Sequence, residues 1–132
     1  ALCGSSDFIR RAVRVRKLLG GRMRQSGFLA AAGLYALENN IERLETDHEH
    51  ARQLAAAVAE SSRLHLLAEP QSNIVIFGVD ESLGSAEQFV KQLASRGVLA
   101  LAIGPTTVRL VTHFDVYAEQ IEHALTVLTE AG

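Results

Sequence analysis

The period of the hydrophobic pattern changes near residue 62, and this change narrows the folds open to the chain more than any other feature. Before it, the pattern predicts three helical segments, over about 7–18, 23–37 and 41–59. After it, short β-rich runs alternate with two further helices, in the order β-(turn)-β-α-β-β-α. We therefore predict an α+β chain, with long helices over 1–62 and a small two-layer sheet-and-helix domain over 63–132.

Capping residues and apolar stripes give these segments predicted ends and faces. Ser85 to Gln88 fits a capping box that opens a helix, and Gly97 is a typical helix exit. Asp115 is the predicted cap of the last helix, whose predicted buried stripe is Tyr117, Ile121, Leu125 and Leu128. The segment from Phe28 to Leu37 is apolar on almost every side, so we expect it to be buried. In the third helix the predicted inward face consists of Ile41, Leu44, His48, Ala51, Leu54, Ala55 and Val58.

The composition describes an ordinary globular chain with an uneven distribution of charge. Of the 132 residues, 48% are hydrophobic and 21% charged, which excludes a disordered chain. Residues 1–26 hold seven basic side chains against one acidic one, while the remainder holds six basic and fourteen acidic side chains. This asymmetry indicates that the first segment faces something negative. The chain opens at Ala1-Leu-Cys-Gly without an initiator Met, so we expect it to be a fragment.

Arg109 is the strongest candidate for a binding residue. In the predicted strand Thr107 to Val111, alternation places Val108 and Leu110 on the core face and Arg109 on the opposite face, together with Val111 and His113. A guanidinium on a half-apolar strand needs a partner, and a carboxylate fits its planar fork. From the residues alone, an internal salt bridge and a bound carboxylate are equally good explanations.

Lys17 and Arg24 are the next candidates, on either side of the Gly20-Gly21 turn that precedes an apolar helix. A helix start with cations beside it is suited to a phosphate or carboxylate, whereas a basic cluster is also often a solvated helix face. His48 and His50 lie two residues apart on a helix and point to different faces, so we predict no metal site. Cys3, the single cysteine, cannot form an internal disulfide, and we interpret it as a small buried residue rather than a reactive thiol.

Two segments carry a family resemblance: Lys17-Leu-Leu-Gly-Gly-Arg-Met-Arg-Gln-Ser-Gly27 and Thr107-Val-Arg-Leu-Val-Thr-His113. In order and spacing they resemble the "LGGGMRQAG" and "RLVTH" segments of the low-specificity L-threonine aldolases. The likeness continues through Leu2–Ser5, Asp47–Arg52, Ser72–Val75 and Ile103–Pro105. Arg22 is a departure, because similar sequences carry glycine there and glycine alone adopts positive φ freely.

The resemblance implies the C-terminal portion of a pyridoxal-phosphate (PLP) enzyme with the aspartate-aminotransferase-like fold type I. Residues 1–62 would be interface helices linking to an N-terminal large domain, and 63–132 the small C-terminal domain. Arg109 would bind the α-carboxylate of a β-hydroxy-α-amino acid such as L-threonine or L-allo-threonine, which is cleaved to glycine and an aldehyde. Arg24 and Lys17 would face the cofactor phosphate of a neighbouring subunit in a cytoplasmic homotetramer, a dimer of dimers.

The chain by itself has no expected catalytic residue. Its only lysines are Lys17 and Lys91, and neither matches the Schiff-base lysine of the resembling family. Two alternatives stay open: a related β-eliminating PLP lyase, or a non-catalytic module whose basic helix binds an acidic partner. Nucleic acid is not an expected partner, because aromatic side chains make up only 5% of the residues and no nucleic-acid motif occurs.

Overall fold

An antiparallel four-stranded sheet organises the second part of the chain, residues 42–132. In the computed structural model, which describes residues 2–132, its strands are β1 (Leu64–Leu66), β2 (Ile74–Val79), β3 (Leu101–Ala102) and β4 (Thr107–Val111). The strand order is β1-β2-β4-β3, so β4 lies inside the sheet between β2 and β3. The α+β class predicted from the sequence is confirmed.

Within the described part of the chain, five α-helices accompany the strands. They are α1 (Ser6–Leu18), α2 (Gly27–Asn39), α3 (Leu44–Glu60), α4 (Ala86–Ser95) and α5 (Ala118–Ala131), with a short 3-10 turn over Glu81–Leu83. Among the described residues, none of the helices combines the length and apolarity that crossing a membrane would need.

The helices α3 and α4 pack on one face of the sheet, α5 packs on α3, and together they form the core with the sheet. Val75, Phe77 and Val108 point into this core and are completely buried. The Phe77 ring meets the Phe89 ring of α4 edge to face, with 6.3 Å between the ring centroids. The alternate residues of the same strands therefore project from the other face of the sheet.

Local signals placed most element ends correctly. The Ser85 hydroxyl accepts from the Gln88 N–H while the Gln88 side chain accepts from the Ser85 N–H, so the predicted capping box is confirmed. Gly97 follows α4 with a φ of 82° and provides the predicted exit. The run predicted over 98–101 is a strand only at Leu101–Ala102.

The cap and buried stripe predicted for the last helix are partly wrong. A turn closed by the Val116 N–H on the His113 carbonyl precedes the helix, which begins at Ala118 with Tyr117 as its N-cap instead of Asp115. Tyr117 is exposed and Leu125 is only half-buried. The buried residues of α5 are Ile121, Val127, Leu128 and Ala131.

The inward face predicted for the third helix is confirmed over its later part, where Ala51, Leu54, Ala55 and Val58 are buried, and wrong at its start. Asp47 and His50 are buried, whereas His48 is partly exposed and Leu44 is exposed. The helix begins at Leu44 and turns its Asp47 side toward the end of β4, where a polar contact replaces an apolar one. Apolar periodicity carries no information about polar contacts. The pattern therefore predicted that His48 is buried, whereas the buried histidine is His50.

The chain separates into two compact units, residues 1–41 and 42–132. In the first unit the prediction of a buried second helix is wrong for this chain, because α2 has no buried residue and the Phe28 side chain is 83% exposed. The predicted domain limits, 1–62 and 63–132, stay a prediction, although α3 belongs to the second unit because it packs on α5 and the sheet.

Candidate functional site

Arg109 lies at the centre of the sheet, on the face opposite the helices. The register pairs it with Ile76 of β2 on one side and with Leu101 of β3 on the other. Val108 and Leu110 are buried in the core, while Val111 on the Arg109 face is exposed. The alternation predicted for this strand is confirmed, and its result is a cation surrounded by aliphatic side chains.

The guanidinium of Arg109 is incompletely paired. Among residues 2–132 it forms no salt bridge, and its Nε is a buried atom without a hydrogen-bond acceptor. An unsatisfied buried donor of this kind costs about 1–3 kcal/mol. The internal ion pair left open by the sequence does not occur within the described chain.

A carboxylate is the chemical group that suits this position. It offers two oxygens to the planar fork of the guanidinium, and the aliphatic neighbours Ile76 and Leu101 reduce competition from water. The geometry can therefore orient a small carboxylate-bearing molecule against this face of the sheet.

Lys17 and Arg24 both belong to the first unit. Lys17 lies in the last turn of α1 and Arg24 in the turn that leads into α2, and both are exposed. Among the described residues neither has a carboxylate within salt-bridge distance. Ser26, the N-cap of α2, makes no side-chain cap, which leaves N–H groups of the first turn available to an anion.

The glycine turn between the two helices tolerates Arg22. The positive φ that requires glycine falls on Gly20, at 74°, whereas Arg22 has an ordinary backbone conformation. The departure noted in the sequence is therefore compatible with the turn. The one non-glycine residue with positive φ in the described chain is Gln25, at 52°, directly after Arg24.

The remaining chemically active side chains do not assemble into a site. Within residues 2–132 no three His, Cys, Asp or Glu side chains are placed to hold a metal ion. His113 is exposed, and its Nδ1 lies 3.3 Å from the Asp115 backbone nitrogen. Cys3 is exposed, so its interpretation as a buried residue is wrong. Lys91 is exposed on α4.

A polar cluster at the end of β4 was missed by the sequence analysis. We call it the strand-end clamp, and it consists of Arg43, Asp47, Asn73, Thr112 and Phe114. The Thr112 hydroxyl donates to the Asp47 carbonyl at 2.6 Å, and the Asn73 side-chain amide donates to the Thr112 carbonyl at 2.6 Å. The signal was present, because Asp47, Asn73 and Thr112 each lie in a segment that carried the family resemblance.

Shifted pKa values occur on exposed groups at the surface. Hydrogen bonds from Ser82 hold the pKa of Asp80 below its usual value, and the Ser82 backbone nitrogen lies 2.9 Å from the Asp80 carboxylate. A hydrogen bond from Arg52 likewise lowers the pKa of Glu49. Both carboxylates stabilise local turns of backbone or helix and take no part in the Arg109 face.

Comparison with known proteins gives a consistent family. The family model of the beta-eliminating lyases matches residues 1–82. The low-specificity L-threonine aldolase of Escherichia coli K12 is 42% identical over 120 residues, which cover 91% of this chain and 34% of that protein. Low-specificity L-threonine aldolase 1 of Arabidopsis thaliana is 32% identical, over 98% of this chain and 37% of the relative. The chain thus spans about a third of the length of the curated relatives it matches.

Solved structures support the fold. A cystine C-S lyase, C-DES, in complex with its product cysteine persulfide, superposes with a TM-score of 0.63 at 25% identity, over 80% of this chain and 28% of that one. A lysine-to-alanine variant of C-DES, with glycine covalently linked to its PLP cofactor, gives the same TM-score.

Proposed function

This chain belongs to the beta-eliminating lyase family, and from that premise we propose that it forms the C-terminal part of a PLP-dependent aldolase. The whole enzyme would cleave L-threonine or L-allo-threonine to glycine and acetaldehyde. Curated relatives named as low-specificity L-threonine aldolases support this choice, and the third of their length that they share with this chain supports an N-terminal large domain as partner.

Arg109 is the observation that carries the proposal. A guanidinium on an aliphatic sheet face, with a buried Nε that lacks an acceptor, is suited to the α-carboxylate of an amino-acid substrate. The role of Arg109 is to hold the carboxylate and so fix the rotation of the substrate about its Cα. The bond from Cα to the hydroxyl-bearing Cβ is thereby directed for cleavage.

Lys17 and Arg24 fit the phosphate of the cofactor. Both are exposed cations without carboxylate partners in the described chain, and uncapped N–H groups at the start of α2 add neutral donors. We assign both residues to the phosphate of PLP in a neighbouring subunit. PLP, when bound, contributes the capacity to delocalise the negative charge left on Cα when the Cα–Cβ bond breaks.

The chain's own share of the reaction is binding and orientation. Cleavage requires that a base remove the β-hydroxyl proton, that acetaldehyde leave, and that Cα regain a proton to give glycine. Arg109 keeps the carboxylate fixed throughout, while Ile76 and Leu101 reduce the access of water to its guanidinium. The lysine that carries the cofactor and the base for the hydroxyl would come from the large domain.

An assembly of subunits follows from the same proposal. The exposed apolar surface of α2, which includes Phe28, Leu34 and Tyr35, is typical of a helix that packs against a partner chain. The excess of positive charge over residues 1–26 suits a helix that approaches a phosphate held by a neighbour. We propose a dimer of dimers with shared active sites, located in the cytoplasm.

A β-eliminating lyase acting on a sulfur-containing amino acid is the second candidate. The name of the matching family and the superposition on a cystine C-S lyase favour it. Such an enzyme also needs a carboxylate-binding arginine, so Arg109 does not separate the two reactions. The two reactions are distinguished by the groups that contact the β-substituent of the substrate.

The test is to assay the full-length gene product, loaded with PLP, against L-threonine, L-allo-threonine and L-cystine. Release of glycine and acetaldehyde from the hydroxy amino acids supports the aldolase. Pyruvate and a persulfide formed from cystine, with no acetaldehyde from threonine, would replace the aldolase by the C-S lyase. A protein that neither binds PLP nor acts on any of the three would refute both.

A further inference from the structure

The end of β4 is supported on only one side. Along β4, Arg109 is the last residue that is paired in both neighbouring strands, with Ile76 in β2 and Leu101 in β3. Beyond it, Leu110 and Val111 pair with β2 alone. On the other side the chain before β3 diverges and leaves a cleft of about 310 Å³, which Leu99 and Thr112 help to line.

The strand-end clamp holds this one-sided end. The Thr112 N–H donates to the Asn73 carbonyl at 3.0 Å, and the Asn73 side chain returns a hydrogen bond to the Thr112 carbonyl. Thr112 is only 1% exposed, and its hydroxyl donates a hydrogen bond to the Asp47 carbonyl on α3. Thr112 is therefore anchored to both a neighbouring strand and a helix.

A second tie attaches the residues that follow Thr112. The Asp47 carboxylate is buried and accepts a hydrogen bond from Arg43 at 2.6 Å. The Arg43 guanidinium in turn lies 4.5 Å from the centre of the Phe114 ring. Arg43 thus bridges the start of α3 and the segment just beyond β4, and Phe114, which had no role in the sequence analysis, provides its platform.

We propose that the strand-end clamp is a positioning device for Arg109, with Thr112 as its key residue. Beyond Arg109, β4 pairs with β2 alone, and a cleft instead of β3 lies on its other side. Without the clamp, this end of the strand would therefore fray toward Arg109. The guanidinium would then sample several orientations, and binding a carboxylate would carry the entropic cost of selecting one. The proposal rests on the function proposed for Arg109.

The test uses the full-length PLP-loaded enzyme and the variants Thr112→Val and Thr112→Ser. Valine keeps the shape and removes the hydroxyl, so the KM for L-threonine should rise about fivefold to tenfold, as for one lost buried hydrogen bond. The kcat should change much less, and serine, which restores the hydroxyl, should return KM toward the wild-type value. In an Arg109→Lys background, Thr112→Val should add little, since the clamp acts through the arginine.

A matched control separates positioning from general stability. Val127→Ala shortens a fully buried side chain of α5 outside the strand-end clamp and lowers the melting temperature. If Thr112→Val raises KM no more than Val127→Ala, or if its effect persists in full on Arg109→Lys, the proposal is overturned. If the wild-type enzyme does not act on L-threonine, the proposed aldolase function is refuted. Faster amide exchange of residues 110–113 in Thr112→Val than in Val127→Ala would still support the clamp, and equal exchange would reject it.

Discussion

Replacing Arg109 by methionine should separate function from stability. Methionine has nearly the length of the arginine stem and matches the aliphatic neighbours Ile76 and Leu101. The substitution removes a buried Nε that has no acceptor, a group that costs about 1–3 kcal/mol. We therefore expect the free energy of unfolding of the substrate-free enzyme to stay the same or to rise by about 1 kcal/mol.

The same substitution should nearly abolish catalysis. A hydrogen bond between charged groups contributes about 1.5–3 kcal/mol, so losing a two-point contact with the substrate carboxylate costs about 3–6 kcal/mol. This corresponds to a fall in kcat/KM of about 10²- to 10⁴-fold. Arg109→Lys keeps the charge but loses the fork, and its kcat/KM should fall between those of the methionine variant and the wild type.

Two measurements check this reasoning. Acetaldehyde release, coupled to its reduction by an alcohol dehydrogenase, gives kcat/KM for L-threonine, and urea unfolding of the substrate-free enzyme gives the free energy of unfolding. Activity within tenfold of wild type in Arg109→Met would refute carboxylate binding. A loss of 3 kcal/mol or more in stability would mean that Arg109 pairs with a carboxylate of the large domain and has a structural role.

Three further outcomes are expected. Arg24→Ala should weaken PLP binding about tenfold, as one lost charge-assisted contact predicts, and equilibrium dialysis against PLP measures it. Leu34→Glu, which places a charge on the exposed apolar surface of α2, should dissociate the assembly in analytical ultracentrifugation. Asp80 has a lowered pKa because Ser82 hydrogen-bonds its carboxylate, so its contribution to stability is complete above the usual pKa of aspartate and disappears as pH falls through the lowered value. The stability advantage of wild type over Asp80→Asn in urea unfolding should accordingly shrink in acid.

Each of these outcomes has a contrary result. Unchanged PLP affinity in Arg24→Ala would remove that residue from the phosphate site. An intact assembly in Leu34→Glu, or equal dissociation by Ala56→Glu on the exposed side of α3, would show that α2 is no specific interface. A difference between wild type and Asp80→Asn that stays constant from neutral to acidic pH would contradict the lowered pKa.

Local features of the sequence determined the elements and the face of Arg109. The capping box at Ser85 and Gln88 is read from four neighbouring residues, and the alternation in Thr107–Val111 depends only on the geometry of a strand. The glycine turn and the family resemblance also lie in short contiguous segments. Such features are decided within a few residues, so the rest of the fold hardly alters them.

Contacts between distant segments decided the rest. Thr112 and Asp47 are 65 residues apart in sequence, and only the packing of α3 against the end of β4 brings the hydroxyl to the carbonyl. In the same helix His50 is buried and His48 is partly exposed, and the apolar stripe of α3 did not distinguish between the two. The missing acceptor at the Arg109 Nε is likewise visible only once Ile76 and Leu101 flank it, since hydrogen-bond satisfaction is a property of the neighbours in space.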